Sequence, residues 1–153
     1  YGMSADAFHM TLPSEDGDGA KRCMSNAIND AGIKPQDINY INAHGTSTPA
    51  GDVVEVRAIK SLFKEHSKNL IINSTKSMIG HLLGAAGGVE ALVTVLSLKN
   101  QQIHPTINVE NQDPECDLDF NIKSSKDADI NIALSNSFGF GGTNGSLIFS
   151  KYD

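Results

Sequence analysis

The stretch Lys76–Glu90, KSMIGHLLGAAGGVE, sets a lysine and a histidine five residues apart, ahead of a glycine-rich run that leads into the apolar segment Val89–Leu98. Glycine weakens a helix interior by about 1 kcal/mol relative to alanine. Four glycines between Gly80 and Gly88 therefore need a reason. Close packing supplies one, with another backbone or a ligand tail lying directly against a glycine-rich helix. Such a helix is expected to be buried, and Lys76 and His81 at its entrance then need partners to offset their desolvation. A lysine and a histidine at the mouth of a buried helix read as a site.

On the N-terminal side, Glu15–Ala31 carries Ala20, Cys23, Met24, Ala27, Ile28 and Ala31 at helical spacing, and Gly32 marks its stop. Ile38–Ala43 reads as a short buried strand, with the polar loop His44–Pro49 hung on its C-terminal end. Asp52 and Glu55 fit a capping box, and Val53, Val56, Ile59 and Phe63 make one apolar helix face. Leu70–Asn73 is a second strand, and the glycine-rich helix follows it. Beyond that helix, Gln101–Asn108 is extended and Glu110–Asp129 reads as an acidic surface excursion. Ile130, Ile132 and Leu134 alternate as in a strand, as do Leu147 and Phe149, with Asn144-Gly145 as the hairpin signal between them. Helix, strand, helix, strand, helix and two paired strands predict an α/β layer, a mixed β-sheet covered by α-helices. Three polar loops, Asn42–Pro49, Asn73–His81 and Asn136–Asn144, each follow a strand, and strand ends are where open α/β sheets hold ligands.

The bulk properties narrow the class. A chain of 153 residues buries one respectable core, so residues 1–153 are expected to form one domain. A net charge of −6 lacks the basic footprint of a nucleic-acid binder. No apolar run approaches the roughly 20 residues of a membrane-spanning helix. Cys23 and Cys116 lack CxxC spacing and the 5 histidines lack HxxxH or HExxH spacing, so no metal site is expected and a reducing compartment is favoured. The chain opens on Tyr1-Gly2-Met3, which leads to the expectation of a piece cut from something longer.

Taken singly, the polar residues have ordinary readings. His44 and His81 can satisfy loop carbonyls, Lys76 can be solvated, and Thr46-Ser47-Thr48 can be a turn. Gly139–Gly142 has no Walker lysine and does not fit GxGxxG; it reads as a tight turn exposing backbone N–H groups. Cys23 reads as core filler and Cys116 as a surface-loop residue, neither on a nucleophile elbow.

Together the three loops are specific. Asn42–Asp52 (NAHGTSTPAGD), Ser74–Gly87 (STKSMIGHLLGAAG) and Asn136–Gly145 (NSFGFGGTNG) stand here in an order that resembles β-ketoacyl-acyl-carrier-protein synthases. The likeness is strongest to the elongating type II condensing enzymes of fatty-acid synthesis, of thiolase fold, and runs from Tyr1–Ala7 (YGMSADA) to Phe149. Polyketide ketosynthases resemble it less, since they tend towards KSN where this chain has Lys76-Ser77-Met78.

The resemblance implies a decarboxylative Claisen condensation between malonyl-acyl-carrier protein and an acyl chain held on a cysteine. His44 and His81 match the two catalytic histidines, and Lys76 matches a lysine that fixes the histidine and the local charge. Phe140 matches a gating phenylalanine whose N–H faces the acyl thioester, with Gly139, Gly141 and Gly142 letting its loop swing. Thr46 and Thr48 match contacts to the pantetheine arm, and Thr11 is a further candidate. Glu90 is the nearest acidic candidate to balance Lys76. Asn42 and Asn136 either orient the loops or help to hold a structural monovalent cation; no other cofactor is implied. The family's nucleophilic cysteine lies in an N-terminal half that is absent from these residues. This chain is therefore expected to be the C-terminal thiolase-like domain, inactive by itself in condensation, with an exposed face built for burial. Its implied partners are the acyl carrier protein, the missing half and a second subunit of a homodimer. The implied compartment is cytoplasm, plastid or mitochondrion. A non-catalytic module that binds the carrier protein or a lipid on the same scaffold is the alternative.

Overall fold

The computed structural model describes residues 1–152. Five strands form one mixed sheet in the order β1-β7-β6-β2-β3. These are β1 (Gly2–Ala5), β2 (Tyr40–Asn42), β3 (Ile71–Asn73), β6 (Ile132–Gly139) and β7 (Thr143–Ser150). β2 runs parallel to both β3 and β6, whereas β7 runs antiparallel to β6 and β1. A two-stranded ribbon joins β4 (Gln102–Ile103) to β5 (Lys126–Asp127). Two long helices, α1 (Asp18–Asp30) and α2 (Pro49–Phe63), cover one face. On the other lies α4 (Ala86–Asn100), preceded by the single turn α3 (Lys76–Ile79).

Strand periodicity assigns the two faces. Ile41, Ile72 and Leu134 point into the larger core with Met24, Ile28, Val53, Val56, Ile59 and Phe63. Their neighbours Tyr40 and Ala133 point the other way, towards Leu98, Ile103 and Ile130. The same alternation sends Asn42 towards α4 and Asn136 towards α1 and α2, so the side chains of the two asparagines serve opposite faces.

Several local expectations need correction. α2 is not capped by Asp52 and Glu55. Thr48 is its N-cap, accepting the Gly51 N–H at 3.3 Å, and Pro49 occupies the first turn, where a missing N–H costs nothing. Asp52 instead accepts the Ser47 N–H at 3.1 Å. The hairpin turn is not Asn144-Gly145, which lie inside β7 opposite Phe138 and Ser137. It is Phe140–Gly142, where Gly141 and Gly142 take φ of 81° and 69°. The side chain of Asn144 is buried, donating to Asp6 Oδ1 at 2.6 Å, so its role is tertiary. Cys116 is buried in the larger core, because the excursion around it folds back over α2 and leaves only its flanks in solvent. β1 is an element that the sequence pattern did not announce.

The glycine-rich stretch is not one buried helix. Gly80, with φ of 73°, breaks it after α3; a single 3-10 turn, Leu83–Ala85, leads into α4. A Cβ placed on Gly80, Gly84 or Gly88 would meet nothing within 4 Å, so these glycines are not explained by packing inside this chain. α4 is also inverted. It buries Ala86, Glu90, Thr94, Ser97 and Leu98 against the sheet, and leaves Leu92, Val95 and Leu96 exposed.

Candidate active site

Because β2, β3 and β6 run parallel, their C-terminal ends lie at one edge of the sheet, and the loops that follow converge there. β2 delivers His44, β3 delivers Lys76 and then His81, and β6 delivers Phe138 and the Phe140 turn. The His44 and His81 rings meet edge to face with centroids 5.6 Å apart, and the Phe138 ring lies 5.7 Å from that of His44.

The Asn42–Pro49 loop is held by backbone contacts that only particular residues allow. Gly45 has φ of 38°, and a Cβ there would fall 2.8 Å from the Ser74 Cβ. Ser74 Oγ donates to Gly45 O at 2.9 Å, locking the first loop to the second. The amide of Asn42 donates to Thr75 Oγ1 at 2.9 Å and to Thr94 Oγ1 at 3.2 Å, tying β2 to α3 and α4.

One feature of this loop escaped the sequence reading. Glu55 is only 4% exposed, and its carboxylate accepts the N–H groups of His44 and Gly45 at 3.0 Å each. The amide of Asn136 donates to the same carboxylate at 3.0 Å, and Ser146 Oγ donates to Asn136 Oδ1 at 2.7 Å. Burial pushes the Glu55 carboxyl above its ordinary value, against the pull of these donors. Its signal was a lone glutamate within the apolar run Val53–Val56, where a cap residue is out of place.

Lys76 is buried at the start of α3, and its ammonium is ion-paired with Glu90, 1% exposed on α4. Glu90 Oε2 has no hydrogen-bond partner among the described residues, and burial pushes its carboxyl up despite Lys76. The His44 imidazole is held down at about 3, first by burial and then by the positive charge of Lys76 and His81, so it is neutral at physiological pH. His81 Nδ1 accepts the Leu83 N–H at 3.0 Å. In the neutral ring this puts the proton on Nε2 and makes that nitrogen a donor.

The remaining candidates fall into three groups. Thr46 and Thr48 share a hydroxyl contact of 3.2 Å and line a cleft of about 790 Å³ that reaches Ser74, Lys76 and Thr106. Thr11 is not part of that lining; it lies on the exposed segment next to Met10. Phe140 is 80% exposed, and its turn is pinned, with Gly141 N–H donating to Met10 O at 2.6 Å and Asp6 N–H to Gly142 O at 2.8 Å. The side-chain oxygens of Asn42 and Asn136 already accept hydrogen bonds from Thr75 and Ser146. Neither oxygen is a free ligand for a monovalent cation, and both side chains orient the loops.

Neither cysteine has the surroundings of a nucleophile. Cys23 is buried under β1 with its thiol donating to Gly2 O at 3.3 Å, and burial pushes its pKa up. Cys116 is pushed up to about 11, by burial and then by nearby carboxylates.

The mixed sheet with its paired histidines is that of a thiolase-fold ketosynthase. Its fold superposes on a β-ketoacyl synthase from Burkholderia phymatum with a TM-score of 0.92 and 39% identity, over 99% of this chain and 36% of that one. It superposes equally well on a ketosynthase solved with its type II polyketide acyl-carrier protein and bound to the hexaketide, with a TM-score of 0.95 and 40% identity over 99% of this chain and 38% of that one. The chain belongs to the beta-ketoacyl synthase family, whose C-terminal domain it matches over residues 1–110. It is 53% identical to 3-oxoacyl-[acyl-carrier-protein] synthase 2 of Staphylococcus aureus, across all of this chain and 37% of that enzyme. It is 54% identical to the same enzyme of Synechocystis, over 99% of this chain and 36% of the relative. The chain thus spans under two fifths of the length of the curated relatives it matches. Among the described residues no helix is long and apolar enough to cross a membrane.

Proposed function

We propose that these residues form the histidine-bearing half of a condensing enzyme that elongates acyl chains in fatty-acid synthesis. The observation that carries the reading is the His44–His81 pair, 5.6 Å between ring centroids, beside the buried Lys76–Glu90 ion pair. Decarboxylation of a malonyl thioester breaks the bond between the α-carbon and the carboxylate. Carbon dioxide leaves, and the electron pair passes into an enolate whose negative charge sits on the thioester oxygen. Two imidazole N–H donors aimed at that oxygen stabilise it as the charge develops, each worth about 2.7–4 kcal/mol. Both donors must be neutral rings oriented by the fold. A depressed His44 and an Nδ1-bonded His81 meet that requirement. The enolate carbon then attacks the acyl thioester; the tetrahedral oxyanion collapses and expels the cysteine thiolate.

In this reading Lys76 and Glu90 are a fixed pair that sets the local field, and Lys76 does not transfer the proton. Thr46 and Thr48 offer hydroxyls to the amides of a pantetheine arm, along the cleft that they line. Phe140, on an exposed turn, gates the entrance to the acyl chain. The acyl-accepting cysteine comes from sequence outside residues 1–153, on a half that packs over the exposed side of α4. The carrier protein delivers both substrates, a role supported by the ketosynthase complex to which this fold is similar. Fatty-acid rather than polyketide elongation is supported by the 53% identity to the 3-oxoacyl synthase 2 enzymes.

The test is malonyl-carrier-protein decarboxylation by the full-length enzyme, compared with His44→Ala and His81→Ala. Loss of activity in both variants with carrier-protein binding retained is expected. Binding without decarboxylation in the unsubstituted enzyme would sink the reading in favour of a non-catalytic carrier-protein module.

A further inference from the structure

We propose that Glu55 is the positioning residue for His44, setting the imidazole through the backbone; the proposal rests on the condensing function above. A histidine that works as a donor is ordinarily oriented by a hydrogen bond to its other ring nitrogen. His44 has none: its Nδ1 is buried without a partner among the described residues. Its ring touches only other rings, His81 at 5.6 Å and Phe138 at 5.7 Å between centroids, and such contacts steer a ring less sharply than a hydrogen bond.

What is fixed is the backbone that carries the ring. The two oxygens of Glu55 take the consecutive N–H groups of His44 and Gly45, one each, at 3.0 Å. Two parallel bonds from one carboxylate fix orientation as well as distance, as a single bond does not. Asn136 anchors the carboxylate from β6, four residues before Phe140, and Ser146 anchors Asn136 in turn. The chain of bonds therefore runs from β7 through β6 and α2 into the His44 loop, joining the histidine loop to the strand that carries the Phe140 turn.

A purely structural role is the competing explanation, since any residue that satisfied two loop N–H groups would help the fold. The arrangement argues against that. Every partner of Glu55 is an N–H donor and none is a cation. A buried carboxylate without a counter-charge is an expensive way to cap a loop. Lys76, the buried cation of the site, is committed to Glu90.

Glu55→Gln separates the two explanations. It keeps the shape but replaces one acceptor with an NH2 group that faces an N–H donor, so one arm of the clamp is lost. The control is Phe63→Leu, buried further along the same helix and remote from the loop. In the full-length enzyme, Glu55→Gln is expected to lower kcat for malonyl-carrier-protein decarboxylation on the order of 10²-fold with KM little changed, as for an ångström-scale misplacement. Phe63→Leu, at a matched loss of thermal stability, is expected to keep kcat. The accompanying readout is the nitrogen-15 signals of the His44 ring, assigned with His44→Gln, which should shift in Glu55→Gln and stay in Phe63→Leu. Equal kcat losses in the two variants, or an unmoved His44 ring, would overturn the proposal. Should His44→Ala leave decarboxylation intact, the functional reading fails, and the ring signals alone then decide the Glu55 clamp. Should Glu55→Gln fail to fold, the unsubstituted enzyme decides: the His44 and Gly45 amide protons must show the downfield shift of N–H groups bonded to a carboxylate, and ordinary shifts would refute the clamp.

Discussion

α2 and α4 flank the same sheet and use opposite logic. α2 buries valines, isoleucine and phenylalanine against the strands, with Glu55 as its single buried charge. α4 turns Glu90, Thr94 and Ser97 inward and exposes Leu92 at 58%, with Val95 and Leu96 beside it. The first is the ordinary arrangement, in which apolar burial stabilises the fold. The second serves the site: Glu90 reaches Lys76, and Thr94 reaches Asn42. The apolar side of α4 is left to be covered from outside the chain. The two buried carboxylates differ in the same sense, Glu55 being held by neutral N–H groups and Glu90 by a cation.

The largest expected break in this comparison is at the ion pair. Lys76→Met removes the only cation beside Glu90 and should cost roughly 3–5 kcal/mol of stability. Urea unfolding of the full-length protein measures it, and a loss below about 1 kcal/mol would mean that Glu90 finds another partner or a proton. Next come the histidines. His81→Ala should slow malonyl decarboxylation on the order of 10²–10³-fold, the loss of one preorganised donor, with the fold intact by circular dichroism.

The uncovered face of α4 gives a third, smaller effect. Leu92→Glu should cost the full-length protein about 1.5–3 kcal/mol if that leucine is buried by the rest of the enzyme. The same substitution in residues 1–153 alone should cost little and should reduce association, read by light scattering. Equal small effects in both contexts would show that nothing covers α4.

The smallest effect is a pH slope. His44 is depressed to about 3 in the folded state from an ordinary value near 6.5. The neutral ring is thus the form that folding favours. Its stabilisation is complete above about pH 6.5 and is lost as pH falls from there towards 3, by at most about 1.4 kcal/mol per pH unit. His44→Gln should flatten that part of the stability profile. An unchanged profile would mean that the acid sensitivity arises elsewhere.

Much of this was readable before any coordinates. Val53, Val56, Ile59 and Phe63 announced the inner face of α2, and the alternation of Ile130, Ile132 and Leu134 announced a strand near its place. His44, Lys76 and His81 emerged as a set because three long motifs in order are specific where each residue alone is not. β1 stayed hidden because a four-residue edge strand, GMSA, owes its existence to pairing with β7 and carries little pattern of its own. The turn at Phe140–Gly142 was missed because Asn144-Gly145 is the stronger local hairpin signal, yet the buried contact of Asn144 with Asp6 pulls it into the strand. Glu55 passed for a capping residue because its spacing from Asp52 is that of a cap, and only the return of the His44 loop over α2 supplies the two N–H groups that it binds.

The sequence by itself determined the family, the order of the elements and which residues carry the chemistry, because these rest on local patterns and on motifs read along the chain. The tertiary structure alone decided how those residues are held. The clamp on His44 spans eleven residues, the Lys76–Glu90 pair fourteen, and the Asn136–Glu55 bond eighty-one. Contacts at such separations depend on how helices and strands stack, and no local pattern records that. The inverted α4 follows the same rule: its polar face is inward because the site lies beneath it, and its apolar face is outward because the remaining surface of the fold lies beyond these residues.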